Sequence, residues 1–189
     1  EMVEALEAYK DKIEHIAIAE PMLGEVGSDA TVINADKEAV AKAIVDAAVA
    51  DGGFESVAAA KDAGTAFVFM GHGTAHVAKV TYSQMQSQMA SLGYENVFIG
   101  TVEGEPEETS CASVIEAVKA AGYTTVVLRP LMVVAGDHAN NDMAGSDDDS
   151  WKSMMEAAGL TTVCQIAGLG RLNAVQQLYV AHSAAAMAE

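Results

Sequence analysis

The sequence predicts an α/β fold, a mostly parallel sheet flanked by helices. Short apolar runs alternate with longer amphipathic stretches along all 189 residues. Three of the runs, TAFVFM (65–70), NVFIGTV (96–102) and TTVVLRPLMVV (124–134), are rich in β-branched and aromatic residues and have the length of buried strands. The amphipathic stretches between them close on Gly93, Gly122 and Gly159, the residue type that takes the left-handed conformation after a helix. With 51% apolar residues and only three prolines, the chain has material for one packed core and little for disorder.

The elements follow in order. Met2, Leu6, Tyr9 and Ile13 stand at helical spacing, so residues 1–14 read as the tail of a helix, and 15–19 as a strand stopping before Pro21. A helix is predicted from Asp36, as its N-cap, to about Ala50. Residues 51–64 contain Gly52-Gly53 and an alanine-rich stretch, which reads as a loop with one extra helical turn. TAFVFM is the central strand and stops at Gly71-His72-Gly73. Helices are then expected from about His76 to Leu92 and over 108–121, on either side of the strand at 96–102. In the strand 124–134, Pro130 requires the second half to bend or to lie where no ladder bond is needed. Asp149 or Ser150 caps a helix to about Ala158, residues 160–165 make the last strand, and an alanine-rich helix starts near Asn173. No internal repeat and no second composition regime interrupts this order.

Charge excludes several classes of partner. Ten basic residues against 27 acidic ones leave a net charge of −17, a field that repels polyanions and disfavours nucleic acid or a polybasic membrane anchor. The longest apolar run is broken by Arg129 and Pro130 and falls short of the roughly 20 residues of a membrane span. Cys111 and Cys164 have no CxxC partner, so both read as ordinary residues of core or helix face, with a disulfide as the lesser alternative. Dispersed methionines read as core filling, and 147–150 (DDDS) as a helix cap.

In an open parallel sheet, ligands bind outside the carboxyl ends of the strands. His72 follows TAFVFM after one glycine, Glu103 directly follows NVFIGTV, and His138 lies four residues past Val134. They are separated by 31 and 35 residues, so topology and not local spacing brings them together. Two imidazoles and a carboxylate suit Co2+, Ni2+, Zn2+ or Fe2+, and a three-ligand set leaves positions open for a substrate. A lone histidine in a glycine-rich turn is more often structural; three metal-type side chains at neighbouring strand ends reverse that weighting. His76, at a helix start, is a substrate contact or a solvated side chain. His15 and His182 read as structural, and Glu105, Glu107 and Glu108 as complements to a helix dipole. Gly71-His72-Gly73-Thr74 lacks the spacing of a nucleotide-binding loop.

The segments FMGHGT (69–74), GTVEG (100–104) and RPLMVVAGDHANNDMA (129–144) resemble the anaerobic cobalt chelatases of cobalamin biosynthesis, which are class II tetrapyrrole chelatases. DSWKS (149–153) and GLG (168–170) are similar to later landmarks of that family. The resemblance runs from about Met2 into the last helix. It implies a lyase that inserts Co2+ into sirohydrochlorin, or its precorrin-2 form, without ATP, in porphyrin and cobalamin biosynthesis. It places the metal on His72, Glu103 and His138, with His72 and His138 also catalytic as proton acceptors. No permanently bound cofactor is expected; Co2+ is the substrate metal, and the same ligands accept Fe2+ or Ni2+.

Members of this family have two related α/β halves around a cleft. Residues 1–189 then correspond mainly to the second half, with the first expected to be missing or supplied by another chain. The last helix, about 173–187, is expected to pack on that half. The loop 52–64 is longer than the family's connection. The tetrapyrrole carries several carboxylates, so an acidic chain must bind it through local donors such as Arg129, Arg171 or Lys79. The resemblance also implies a homo-oligomer and a cytoplasmic location, with the periplasm as the alternative. Ferrous iron insertion toward sirohaem is the second enzymatic reading, and a non-catalytic tetrapyrrole or metal carrier the reading from another class.

Overall fold

Four strands, β1 (Thr65–Gly71), β2 (Val97–Thr101), β3 (Thr125–Pro130) and β4 (Thr161–Cys164), form one all-parallel sheet in the order β2-β1-β3-β4. The computed structural model describes residues 2–13 and 15–188. The helices are α1 (Met2–Glu7), α2 (Ala35–Asp51), α3 (Val57–Asp62), α4 (Val80–Ser91), α5 (Cys111–Ala120), α6 (Trp151–Ala157) and α7 (Asn173–Met187). The α/β class with a parallel sheet flanked by helices is thus observed.

Strand β1 is buried over its whole length, which is why its sequence is apolar on both alternations. Phe67 and Phe69 face a core built with Ile99, Val127, α2, α4 and the start of α7. Ala66, Val68 and Met70 face the other core, with Val126, Leu128, α5 and α6. Met70, Met85, Met89, Met143 and Met155 are fully buried, filling these cores as expected. The helix after β1 therefore packs on one face, whereas those after β2 and β3 pack on the other. Loops leaving the sheet diverge at the carboxyl end of β1, and that divergence opens a crevice.

Local signals account for most boundaries. Ser56, Ser110 and Ser150 cap α3, α5 and α6, each accepting a backbone N–H three residues on. Gly93, Gly122 and Gly159 have φ of +76°, +85° and +88°. Helix α3 supplies the expected extra turn. Helix α2, however, is capped by Asn34 and not by Asp36: Asn34 has extended backbone and its side-chain oxygen accepts from Lys37 N at 2.8 Å, while its amide donates to the Leu23 carbonyl at 3.1 Å. The helix expected from Glu108 begins with a 3-10 turn, Glu107–Thr109, before the Ser110 cap.

Three expectations are corrected. The helix over 1–14 is limited to α1, followed by turns to residue 12; Glu1 and Glu14 lie outside the described residues. Residues 15–19 are no strand, because no sheet edge receives them; His15 and Ile18 are exposed. Strand β3 ends at Pro130: Leu131 N donates to the Met70 carbonyl at 2.7 Å, and the chain then leaves the ladder. Cys111 and Cys164 are free thiols; Cys164 lies in β4, and burial pushes the Cys111 thiol up to about 12. Helix α7 packs on α2, burying Val175 and Ala186 and leaving Tyr179, Val180 and Met187 exposed. No described helix is long and apolar enough to cross a membrane.

Candidate metal and substrate site

Parallel pairing of β1 with β2 continues past the strands. Val102 N donates to the Gly71 carbonyl and Glu103 N to the His72 carbonyl, both at 2.9 Å. This ladder carries His72 and Glu103 side by side, with His72 Nε2 4.0 Å from Glu103 Oε1. The glycines around His72 are dictated by their neighbours. Gly73 has φ +92°, and a Cβ there would lie 2.9 Å from the Glu103 Cβ. A Cβ on Gly71 would run into the Tyr82 ring, whose hydroxyl accepts the Gly73 N–H at 3.0 Å.

The ring of His72 has a defined tautomer. Nδ1 lies 2.8 Å from the Gly73 carbonyl, which can only accept, so Nδ1 bears the proton and Nε2 presents a lone pair toward Glu103. His138 follows the seven residues after β3, immediately before a π-helical turn, Ala139–Met143. That turn places the Asp142 carboxylate 2.6 Å from His138 Nδ1, so Nε2 is again the nitrogen left for a metal. The two imidazoles meet edge to face, with centroids 4.7 Å apart and planes at 80°.

The three predicted ligands thus gather in the crevice at the end of β1, flanked by β2 and β3. All are accessible: the side chains of His72, Glu103 and His138 are 51%, 52% and 39% exposed. Ligand atoms on a tetrahedral ion with bonds near 2.0–2.1 Å stand about 3.3 Å apart, so His72 and Glu103 need approach by less than an ångström to share one. Among the described residues, the set whose ligand atoms already lie within 4.8 Å of one another is a different one, Glu20, Asp36 and His182.

Asp142, in contact with His138, is the neighbour of the candidate ligands that the sequence did not single out. The signal was present as an aspartate four residues after a histidine, one helical turn away.

The remaining predicted contacts divide. His76 caps the 3-10 turn Val77–Lys79, its Nδ1 accepting from Ala78 N at 3.2 Å. Arg129 does not face the crevice and is corrected as a substrate contact. It alternates with Val127 and Leu131 toward α2, is 2% exposed, and its guanidinium donates to Asp51 at 2.6 Å and to Gln165 Oε1 at 2.8 Å. Gln165 in turn donates to the Ala48 carbonyl at 3.0 Å, so this cation ties the sheet to α2. Lys79 is paired with Glu105 at 2.6 Å. Arg171 instead lines an open groove of about 420 Å³ with Val133, Val134, Ile166 and Gly168, next to the chain that leads to His138. Gly168 lies against the Val133 carbonyl and 2.8 Å, at its Cβ position, from Ala135 N, so only glycine allows the groove floor to close.

Two curated proteins are similar to part of this chain. A relative named sirohydrochlorin cobaltochelatase, from Salmonella typhimurium, is 42% identical over 115 residues, covering 61% of this chain and 42% of its own. A second, named sirohydrochlorin cobaltochelatase CbiKC, from Nitratidesulfovibrio vulgaris, is 34% identical over 122 residues, covering 65% of this chain and 42% of its own. The chain spans about two fifths of the length of these relatives. The family model described as cobalt chelatase (CbiK) matches residues 1–188, and the chain belongs to that family.

Proposed function

We propose that this chain carries the metal-handling part of a chelatase that inserts Co2+ into sirohydrochlorin without ATP. The observation that supports this reading most directly is the pair of imidazoles in contact at 4.7 Å, each with Nδ1 engaged, beside the Glu103 carboxylate at the sheet's switch point. Nitrogen and carboxylate donors suit Co2+, and their exposure suits a metal that must be passed on. The relatives' names support the same metal and macrocycle.

Insertion replaces two pyrrole N–H protons by one Co2+, so two protons must leave the macrocycle. In this reading His72, Glu103 and His138 hold the ion, Glu103 offsetting part of its charge. As Co2+ moves to the pyrrole nitrogens, each Nε2 lone pair that it vacates becomes a proton acceptor of a kind that works near neutral pH. Gly73 O and Asp142 keep the Nδ1 protons in place throughout, holding both rings in one tautomer. The groove at Val133, Val134 and Arg171 supplies apolar surface and one cation for a flat, carboxylated ring.

The test is anaerobic absorbance of sirohydrochlorin with limiting protein and excess Co2+, beside a protein-free control and the His72→Ala/His138→Ala double variant. Multiple turnovers with the chain, lost in the variant, are expected. A rate equal to the protein-free control would sink the reading.

A further inference from the structure

A second group of ligand-type side chains lies away from the crevice. His182 stands on α7 with 11% of its side chain exposed, and both of its ring nitrogens face acceptors. Nδ1 is 3.1 Å from the Glu20 carbonyl oxygen, which cannot donate, so the proton sits on Nδ1. Nε2 then faces the Asp36 carboxylate at 3.2 Å. A neutral ring would set a lone pair against an anionic oxygen there; the contact requires a cation between the two atoms or a second proton on the ring.

Geometry favours a metal cation. One ligand atom each from Glu20, Asp36 and His182 falls within 4.8 Å of the others. A cavity of about 180 Å³ lined by Ile18, Glu20 and His182 adjoins them, roomy enough for an ion with water in its remaining positions. The ammonium of the neighbouring Lys37 is taken up by the carbonyls of Leu23 and Glu25, at 3.0 and 2.7 Å, and does not bond the Asp36 carboxylate. Gly24, at φ +64°, brings bare backbone against that carboxylate, where any Cβ would collide with it.

We propose that Glu20, Asp36 and His182 form a second binding site, for a borderline divalent cation of the Co2+ or Zn2+ kind. Imidazole with two carboxylates is a donor set for such ions. The ligands come from three separate stretches: the irregular residues before Pro21, the first turn of α2, and α7. A bound ion fastens the N-terminal stretch and the last helix to α2, so occupancy is linked to stability.

The test uses the whole chain with His72→Ala and His138→Ala, which removes both imidazoles of the crevice and leaves the second site. Equilibrium dialysis and visible absorption with Co2+ alone should show one retained equivalent, and Zn2+ should raise the unfolding midpoint. Adding His182→Gln should abolish both effects, with far-ultraviolet circular dichroism confirming that the variant is folded. Asp36→Asn, which keeps the side chain's shape, should weaken the retained Co2+ at least tenfold. The proposal is overturned if the double variant binds no Co2+, or if its midpoint responds to pH near neutrality and not to Zn2+, which would place a proton on Nε2. Neither result bears on the crevice, which is read by comparing the unaltered chain with the double variant.

Discussion

Asp142 reaches back one turn to His138 and accepts its Nδ1 proton at 2.6 Å, in the way a carboxylate orients a metal-binding imidazole. The π-helical turn that makes this contact starts at the residue after the histidine. Imidazole and carboxylate are therefore one local unit, placed together by the backbone.

Replacing Asp142 by Ala should weaken Co2+ binding to the crevice by about 10- to 100-fold, and Asp142→Asn by less, since the amide still accepts a bond. Titrations are best run in the His182→Gln background, so that one class of site is read. Unchanged affinity in Asp142→Ala would show that His138 needs no orienting partner.

Arg171 and Arg129 should behave oppositely. Arg171→Ala removes a cation from the groove beside Val134 and should raise KM for sirohydrochlorin several-fold, with the unfolding midpoint little changed. Arg129→Met should leave KM alone and lower stability, because it severs the tie to Asp51 and Gln165. Asp51→Ala, which leaves the Arg129 guanidinium with Gln165 alone beside the opening that the half-exposed Asp51 vacates, should cost about 2 kcal/mol in urea unfolding. A large KM change in Arg129→Met would contradict its placement.

Gly73 and Gly93 both have positive φ, but only Gly73 is crowded by Glu103. Alanine at either position should cost about 1 kcal/mol or more in stability. Gly73→Ala should also displace Glu103 and weaken Co2+ binding, whereas Gly93→Ala should not. Equal cobalt affinity in the two variants would show that the contact at Gly73 does not matter to the ligands.

Cys111 lies in the first turn of α5, where a helix dipole favours thiolate, yet burial dominates and raises its pKa from 9.0 to about 12. The unfolded thiol ionises first as pH rises, so the stability linked to this group is complete below about pH 9 and is lost between pH 9 and 12. The urea midpoint of the unaltered chain should fall more steeply from pH 8.5 to 10.5 than that of Cys111→Ala. Parallel slopes would remove Cys111 as the cause.

Much of this was legible because strand ends are legible. TAFVFM and NVFIGTV mark β1 and β2 within about a residue, and that suffices to bring His72 and Glu103 to one edge. Asp142 escaped notice because a π-helical turn has no hydrophobic period to announce it. Arg129 misled for the opposite reason: it lies in a strand that leads to the site, and only the alternation Val127, Arg129, Leu131 shows that it turns to the α2 side. Residues 15–19 alternate as a strand does, but a strand exists only where an edge accepts its hydrogen bonds. The Glu20, Asp36 and His182 group joins three stretches by tertiary docking, for which no sequence spacing exists.

The ladder bond from Glu103 N to the His72 carbonyl makes two residues 31 positions apart a single rung. Lengthening or shortening α4 leaves that rung intact, but a slip of β2 by one residue would turn Glu103 to the opposite face of the sheet. If the crevice captures cobalt as proposed, that capture doubles as a register gauge: refolded chains with mispaired strands would lose it even when their helix content is complete.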